Sequence, residues 1–345
     1  MAMILRSTNT IKTNKIKQSR LALGLAALGA WSGAAAFAVA FFLPLHHPAR
    51  LPQGISVPRS ILDPEEVRTG ADLINPQPPL LVVSSRKAGV PFILIEGGVA
   101  QTRRSALRCG VRALVQQAGA QAGVNGTFFA DASVQGTNNI LIGPSLCGDE
   151  AHAIFNRADN AAALVGRPLV LLSPGRTRIL PYNPKSMRSQ DSLAARLPGL
   201  TDVFLGGVWL VHGGVASSRT RIETYHVHDA EDMRRRAFFC LLPDGRLGLG
   251  ATTFVTPSAN LARALSEQGV QEAVLLDSGF STSLVFGHNI LVTGHTSPGI
   301  PSRPIPHALL LFSKPPVIPG LKPIHDFESG PVLMTNRSPK GHAGV

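Results

Sequence analysis

The feature that most constrains this chain is a run of 23 residues, positions 21–43, without a single charged side chain. The segment LALGLAALGAWSGAAAFAVAFFL is long enough to cross a hydrocarbon core of about 30 Å as one helix. Arg6, Lys12, Lys15, Lys17 and Arg20 precede it with no acid among them. By the positive-inside rule this end stays in the cytoplasm, and everything after residue 43 lies across the membrane. Ala36-Phe37-Ala38 and Ala38-Val39-Ala40 both resemble a small-x-small cleavage site, so a signal peptide competes with an uncleaved anchor. The run exceeds the roughly 7–15 apolar residues of a signal peptide, which favours the anchor. The expectation is a membrane-anchored protein with its main domain extracytoplasmic, in the periplasm or at the cell surface.

Prolines mark the next boundaries. Eight of them fall between residues 44 and 79, and Pro315, Pro316, Pro319, Pro323, Pro331 and Pro339 crowd the other end. The chain therefore divides into a basic segment (1–20), the apolar span (21–43), an extended stalk (44–79), a folded unit (80–313) and a Pro-rich tail (314–345). A composition of 44% hydrophobic and 16% charged residues suits one globular core rather than a disordered or polytopic chain. The net charge of +12 is dispersed, with Arg234, Arg235 and Arg236 forming one short cluster, so no nucleic-acid footprint is visible.

Short apolar or β-branched runs recur at 80–83, 91–96, 163–172, 203–210, 236–242, 247–253, 273–276, 283–286 and 308–312. Helical spacing interrupts them at 104–117 and 258–267, the second beginning at Thr256-Pro257-Ser258 with hydroxyl and proline start signals. The expected class is α+β: a mixed, strand-rich sheet core with a few helices, a single domain, preceded by one transmembrane helix. There is no repeat. Cys109, Cys147 and Cys240 show no zinc-type spacing. In an oxidising compartment Cys109 and Cys147 could pair, whereas Cys240, inside AFFCLL, reads as a buried free thiol.

Three segments carry chemistry. In 119–131, GAQAGVNGTFFAD, a helix ends in glycine and Asn125-Gly126 turns the chain before Phe128 and Phe129, two rings that more often anchor a loop than stack on a ligand. In 273–286, AVLLDSGFSTSLVF, a buried strand delivers Asp277 to a hydroxyl-rich turn. Such a carboxylate suits general acid or base work, while Ser281 and Thr282 can donate to phosphate or sugar oxygens; the plainer reading is an Asx-type turn. Arg236 opens a third buried run that ends at Pro243-Asp244-Gly245, and a guanidinium there requires an anionic partner, either a substrate phosphate or Asp277. His212, His226 and His228 stand near acids, weakly suggesting a divalent metal, and Glu96 could supply a second carboxylate.

In this order the segments resemble the phosphodiester glycosidase family, whose bacterial members are linked to exopolysaccharides. Asn125-Gly126-Thr127-Phe128-Phe129 matches the family's Asn-Gly-Gly-Phe-Phe, and Arg236 through Asp244-Gly245 its arginine-led strand. Residues 276–283, LDSGFSTS, match its Leu-Asp-Gly-Gly-Gly-Ser-Ser-Thr, and Arg303-Pro304-Ile305-Pro306 its closing Arg-Pro-x-Pro. The similarity spans roughly residues 80–313. It departs at Ala237, which replaces a hydroxyl residue, and at Cys240, Ser278 and Phe280, which replace glycines; Phe280 is expected to narrow or reshape the pocket.

What the resemblance implies is hydrolysis of a sugar-1-phosphodiester at the glycosidic bond, in a glycan or envelope polymer. Asp277, Arg236 and Asn125 are the expected catalytic residues, with Gly126, Thr127, Gly279, Ser281 and Thr282 binding substrate. No cofactor is expected, and the partners are a sugar-phosphate or glycan and, through residues 21–43, the membrane. The alternative is a catalytically silent glycan-binding or assembly protein of the envelope on the same fold. A serine hydrolase built on Ser281 fits poorly, because no G-x-S-x-G elbow follows a strand.

Overall fold

AFFCL, five apolar residues without alternation, is the pattern of a strand covered on both faces. In the computed structural model, which describes residues 73–74, 79–130, 139–155 and 161–314, the strand Ala237–Leu241 is buried along its whole length. It sits at the centre of a seven-stranded sheet in the spatial order Val215–Ala216, Trp209–His212, Glu272–Leu275, Ala237–Leu241, Leu247–Thr252, Val90–Glu96 and Leu81–Lys87. Its neighbour reads LGLGAT for a steric reason. A Cβ on Gly248 would come within 2.6 Å of Cys240 Sγ, and one on Gly250 within 2.2 Å of the Phe238 ring.

A second sheet of five strands runs Asn289–Val292, Leu284–Phe286, Ala122–Asn125, Ile305–Phe312 and Val99–Cys109. The strand Ile305–Phe312 shows the period of two expected when the two faces meet different partners. Leu309 and Leu311 join the large core shared with the seven-stranded sheet, while Ala308, Leu310 and Phe312 pack with Val111, Leu114 and Val115 of the helix Val111–Ala118. The helix Ser258–Glu267 buries Leu261, Ala262, Ala264 and Leu265 in the large core. A four-stranded sheet, Leu73–Ile74, Arg176–Pro181, Pro168–Ser173 and Asp202–Leu205, holds a third cluster around Leu169, Leu171, Leu193 and Val203. Every strand pair in these sheets is antiparallel. The core is thus strand-rich with few helices.

Several sequence expectations change here. The helix expected over 104–117 exists only as Val111–Ala118, because residues 99–109 are drawn into a strand by pairing along Ile305–Phe312. Tertiary pairing overrides local periodicity. The helix Ser258–Glu267 has the expected bounds, but the residue before it is Pro257, and no side chain of Thr256 or Ser258 caps it; Glu231 Oε1 accepts from the Ala259 amide at 3.0 Å instead. The run 203–210 is two strands in two sheets, broken at Gly206-Gly207, where a Cβ on Gly207 would lie 2.5 Å from the Phe128 ring. Cys109 and Cys147 are not joined, and all three cysteines are free; burial drives the Cys147 thiol up to about 12 and that of Cys240 still higher. Among the described residues no helix is long and apolar enough to cross a membrane. The apolar span at 21–43, the basic segment before it, nearly all of the stalk and the tail beyond residue 314 lie outside the described residues.

Candidate functional site

The two large sheets are stitched together where their motif strands end. Asn125, the last residue of its strand and fully buried, donates from Nδ2 to the Asp277 carbonyl at 2.5 Å and accepts on Oδ1 from the Ser283 amide at 3.0 Å. The Asp277 amide in turn donates to the Gly126 carbonyl at 3.1 Å. A buried amide side chain with both ends matched to main chain holds the carboxylate-bearing turn in one place.

Asp277 leaves its strand with its side chain only slightly exposed. Oδ1 accepts from the Ser278 amide at 2.9 Å, and Oδ2 meets Arg303 Nη2 at 3.1 Å. The Ser281 hydroxyl hydrogen-bonds to the same carboxyl and accepts from Arg303 Nε at 2.6 Å. Burial raises the Asp277 pKa, opposed by Ser281, Arg303 and the Ser278 amide. Desolvation favours the acid, while the cation and the donors favour the carboxylate. The Arg303 guanidinium also lies 4.7 Å from the centre of the Phe129 ring, as does that of Arg108.

Gly126 and Thr127 are shaped by a histidine that sequence reasoning passed over. The Gly126 amide donates to the His307 carbonyl at 2.7 Å, and the Thr127 amide to His307 Nδ1 at 3.1 Å. A Cβ on Gly126 would fall 2.0 Å from that nitrogen, so only glycine fits. Burial, reinforced by Arg104, pushes His307 down to about 3, and the ring is neutral with its proton on Nε2. The Thr127 hydroxyl donates to the Leu205 carbonyl, and the Thr282 hydroxyl to the Arg235 carbonyl at 2.9 Å.

Arg236 is placed differently from the sequence expectation. It is fully buried, and its guanidinium donates to the carbonyls of Thr256 (3.0 Å), Asp229 (2.9 Å) and Asp232. Burial lowers it to about 10. The arginine that meets Asp277 is Arg303. The only signal for it was its membership in the matched Arg-Pro motif.

Glu96 and the histidines stand apart from this cluster. Strand register sets Glu96 beside Gly248, Gly248 beside Cys240, and Cys240 beside Ala273. Asp277 lies four residues further on, about 13 Å at ~3.3 Å per residue. That exceeds the roughly 6.5–9.5 Å over which two carboxyls share one glycosidic bond. Glu96 is instead paired with Arg246 at 2.6 Å. His212 bonds Glu272 Oε2 at 2.9 Å at the same far end, and His226 offers its carbonyl to Arg167. Among the described residues, no three His, Cys, Asp or Glu side chains gather as a metal site would need.

The substituted glycines are accommodated without strain. In the LDSGFSTS turn only Gly279 has positive φ, +66°, while Ser278 is extended at −132°. Phe280 does not fill the space beside Asp277: it is 59% exposed and stacks on the His295 ring.

No protein-family model matches the sequence, and neither does any curated protein. Among solved structures the fold is similar to the zebrafish N-acetylglucosamine-1-phosphodiester alpha-N-acetylglucosaminidase catalytic domain auto-inhibited by its pro-peptide, with a TM-score of 0.51 and 14% identity over 68% of this chain and 82% of that one. Two weaker similarities, each with a TM-score of 0.45 and 12% identity, are to a hypothetical protein from Synechocystis (67% of this chain, 61% of that one) and to a protein of Burkholderia pseudomallei K96243 named as a candidate exported protein (65% and 74%). At such identities what is shared is the fold: the chain folds like a glycosidase catalytic domain.

Proposed function

We propose that the chain is a hydrolase of the glycosidase kind that cleaves a sugar-1-phosphodiester between the sugar carbon and the bridging oxygen. The observation that carries this reading is the cluster of buried Asp277 and Ser281 with half-buried Arg303, formed where the Asn125-Gly126, Asp277 and Arg303 motifs converge. The group that leaves is a phosphate monoester, already a good leaving group, so the reaction needs anion stabilisation and an oriented water more than a strong acid. In this scheme Arg303 and the hydroxyl of Ser281 face the phosphate, and Asp277 activates water or supports the oxocarbenium-like centre. Gly126, Thr127, Gly279 and Thr282 shape the walls through their main chain. Asn125 and Arg236 act by position, since their polar atoms are bonded largely to backbone. The membrane anchor and the extracytoplasmic location belong to this proposal and rest on the sequence before residue 44, while an envelope glycan as substrate rests on the motif resemblance within 80–313.

The test is hydrolysis by the full chain in H₂¹⁸O with a panel of sugar-1-phosphodiesters. Label in the released sugar, with none in the phosphomonoester, is the expected result; label in the phosphate would mean phosphodiesterase chemistry and end the proposal. A second reading, a glycan-binding protein without turnover, is favoured by one observation: Asn125 and Arg236 donate to main-chain carbonyls, which leaves fewer free polar groups than a working site commonly offers. Binding of the same diesters without any release would select it.

A further inference from the structure

Exposed apolar side chains are common one at a time, but an exposed phenylalanine stacked on a second ring next to a charged cluster in sequence presents a flat apolar surface. Phe280 is 59% exposed, yet its ring lies on the imidazole of His295, with centroids 4.5 Å apart and planes 19° from parallel. One ring face is therefore backed by another ring, and the other is left open.

The loop beneath is built to hold this pair. Gly279, at φ +66°, donates its amide to the Arg235 carbonyl at 2.9 Å. Arg235 Nη1 donates to the carbonyls of Thr293 and His295, each at 2.7 Å, joining the Phe280 turn to the His295 loop. A Cβ on Gly294 would fall 2.3 Å from the Gly279 carbonyl oxygen, so the two loops touch at backbone distance. Ser302 closes the frame, accepting from the Gly294 amide at 2.9 Å and donating to the Thr282 carbonyl at 2.6 Å. The Phe280 carbonyl accepts the Arg303 amide at 2.8 Å, and the side chain of Arg303 holds Asp277 and Ser281. The platform and the charged cluster thus share one backbone.

From this geometry we infer that Phe280, backed by His295, is a stacking platform for the apolar C–H face of a pyranose ring whose anomeric phosphate is held at Arg303. A sugar ring carries axial C–H bonds on one face and hydroxyls around its edge. A flat aromatic surface on the loop that carries Ser281 and binds the Arg303 backbone complements the apolar ring face, as the guanidinium complements the phosphate, of a hexopyranose 1-phosphate. An acyclic polyol phosphate offers the same charge without a rigid apolar face. This inference deepens the proposed hydrolase reading by naming the ring form and the subsite that selects it.

The test is titration calorimetry of the full chain with glucose 1-phosphate and with ribitol 5-phosphate, for wild type, Phe280→Ala, Phe280→Tyr and Phe280→Trp. Because the side chain is largely exposed, truncation leaves the core untouched, and an unchanged melting temperature documents this. Expected are a preference of wild type for the cyclic ligand of about tenfold, its loss in Phe280→Ala, and its retention in the Tyr and Trp proteins. In Phe280→Trp the indole fluorescence shifts on adding the cyclic ligand only. Equal affinities of wild type and Phe280→Ala for glucose 1-phosphate overturn the platform, even where diesters are hydrolysed and the reaction itself stands. A Phe280-dependent preference in a protein that releases no sugar upholds the platform and removes the hydrolase reading. Wild type that binds neither ligand overturns the platform outright.

Discussion

Asp202 and Asp277 are both buried aspartates at strand borders, and burial raises the pKa of both, but their surroundings differ in kind. Asp202 gathers only uncharged donors on Oδ1: the Thr102 amide at 2.7 Å, the Thr102 hydroxyl at 2.8 Å and the Gly148 amide at 3.0 Å. Its Oδ2 has no hydrogen-bond partner among the described residues, and its pKa rises to about 6. Asp277 has one oxygen on an amide and the other on Arg303, whose side chain is 33% exposed. The first is a strut tying the strand Val99–Cys109 to the strand Asp202–Leu205. The second is a charge pair with a route to solvent, which is where a substrate anion can compete for the cation.

The largest expected effect breaks the pair directly. Asp277→Asn is isosteric and keeps the Ser278 contact, so the fold survives while sugar release from diesters falls at least ~100-fold, the usual scale for losing a positioned acid or base. Full activity in this protein would remove Asp277 from the chemistry.

Next comes Arg303→Ala, which leaves a buried carboxylate without its cation. Stability at neutral pH should fall by about 2–3 kcal/mol, below the ~3–5 kcal/mol of a fully buried pair because Arg303 is partly exposed. The acid limb of the pH–rate profile should move to higher pH, since loss of the cation raises Asp277 further. Urea titrations and pH–rate curves check the two parts separately.

A smaller effect sharpens the contrast from the other side. The folded pKa of Asp202 is raised to about 6, above the ~3.9 of an unfolded aspartate, so its contribution to stability is full below the unfolded value and is lost as pH rises through 6. On its account the protein should be about 2 kcal/mol less stable at pH 7.5 than at pH 4.5. Comparing urea midpoints at these two values, Asp202→Asn should flatten the difference, and an unchanged slope would place the ionisation elsewhere. The smallest expected effect is in the thiols. Cys147, buried beside the Asp202 strut with its pKa near 12, should resist alkylation at pH 8 in the folded protein, while half-buried Cys109 reacts.

Most of the sheet architecture was legible because buried strands announce themselves. AFFCL, LGLGAT and VPFILIE have no polar face to confuse the pattern, and Asn-Gly and Asp-Ser-Gly mark the ends of the strands Ala122–Asn125 and Glu272–Leu275. The misread stretch is 104–109, the first part of the helix expected over 104–117, whose strand state comes from the distant partner Ile305–Phe312 while the helix begins only at Val111. The site was legible as three turns and illegible as side chains. Sequence offers no sign that Arg236 points into a cage of carbonyls while Arg303 reaches Asp277, because the direction is set by loops brought together in the fold. Nor does it show that Phe280, standing where a glycine was expected, turns outward onto His295.

The most direct test of the account is one comparison of rates: sugar release from a single hexopyranose 1-phosphodiester by the wild-type chain, Asp277→Asn and Asp202→Asn, measured where all three are folded. The account expects release by the wild type and by Asp202→Asn within severalfold of each other, and none above background from Asp277→Asn. Equal rates in the two variants would contradict it, for the two buried carboxyls would then differ only in their neighbours and not in what they do.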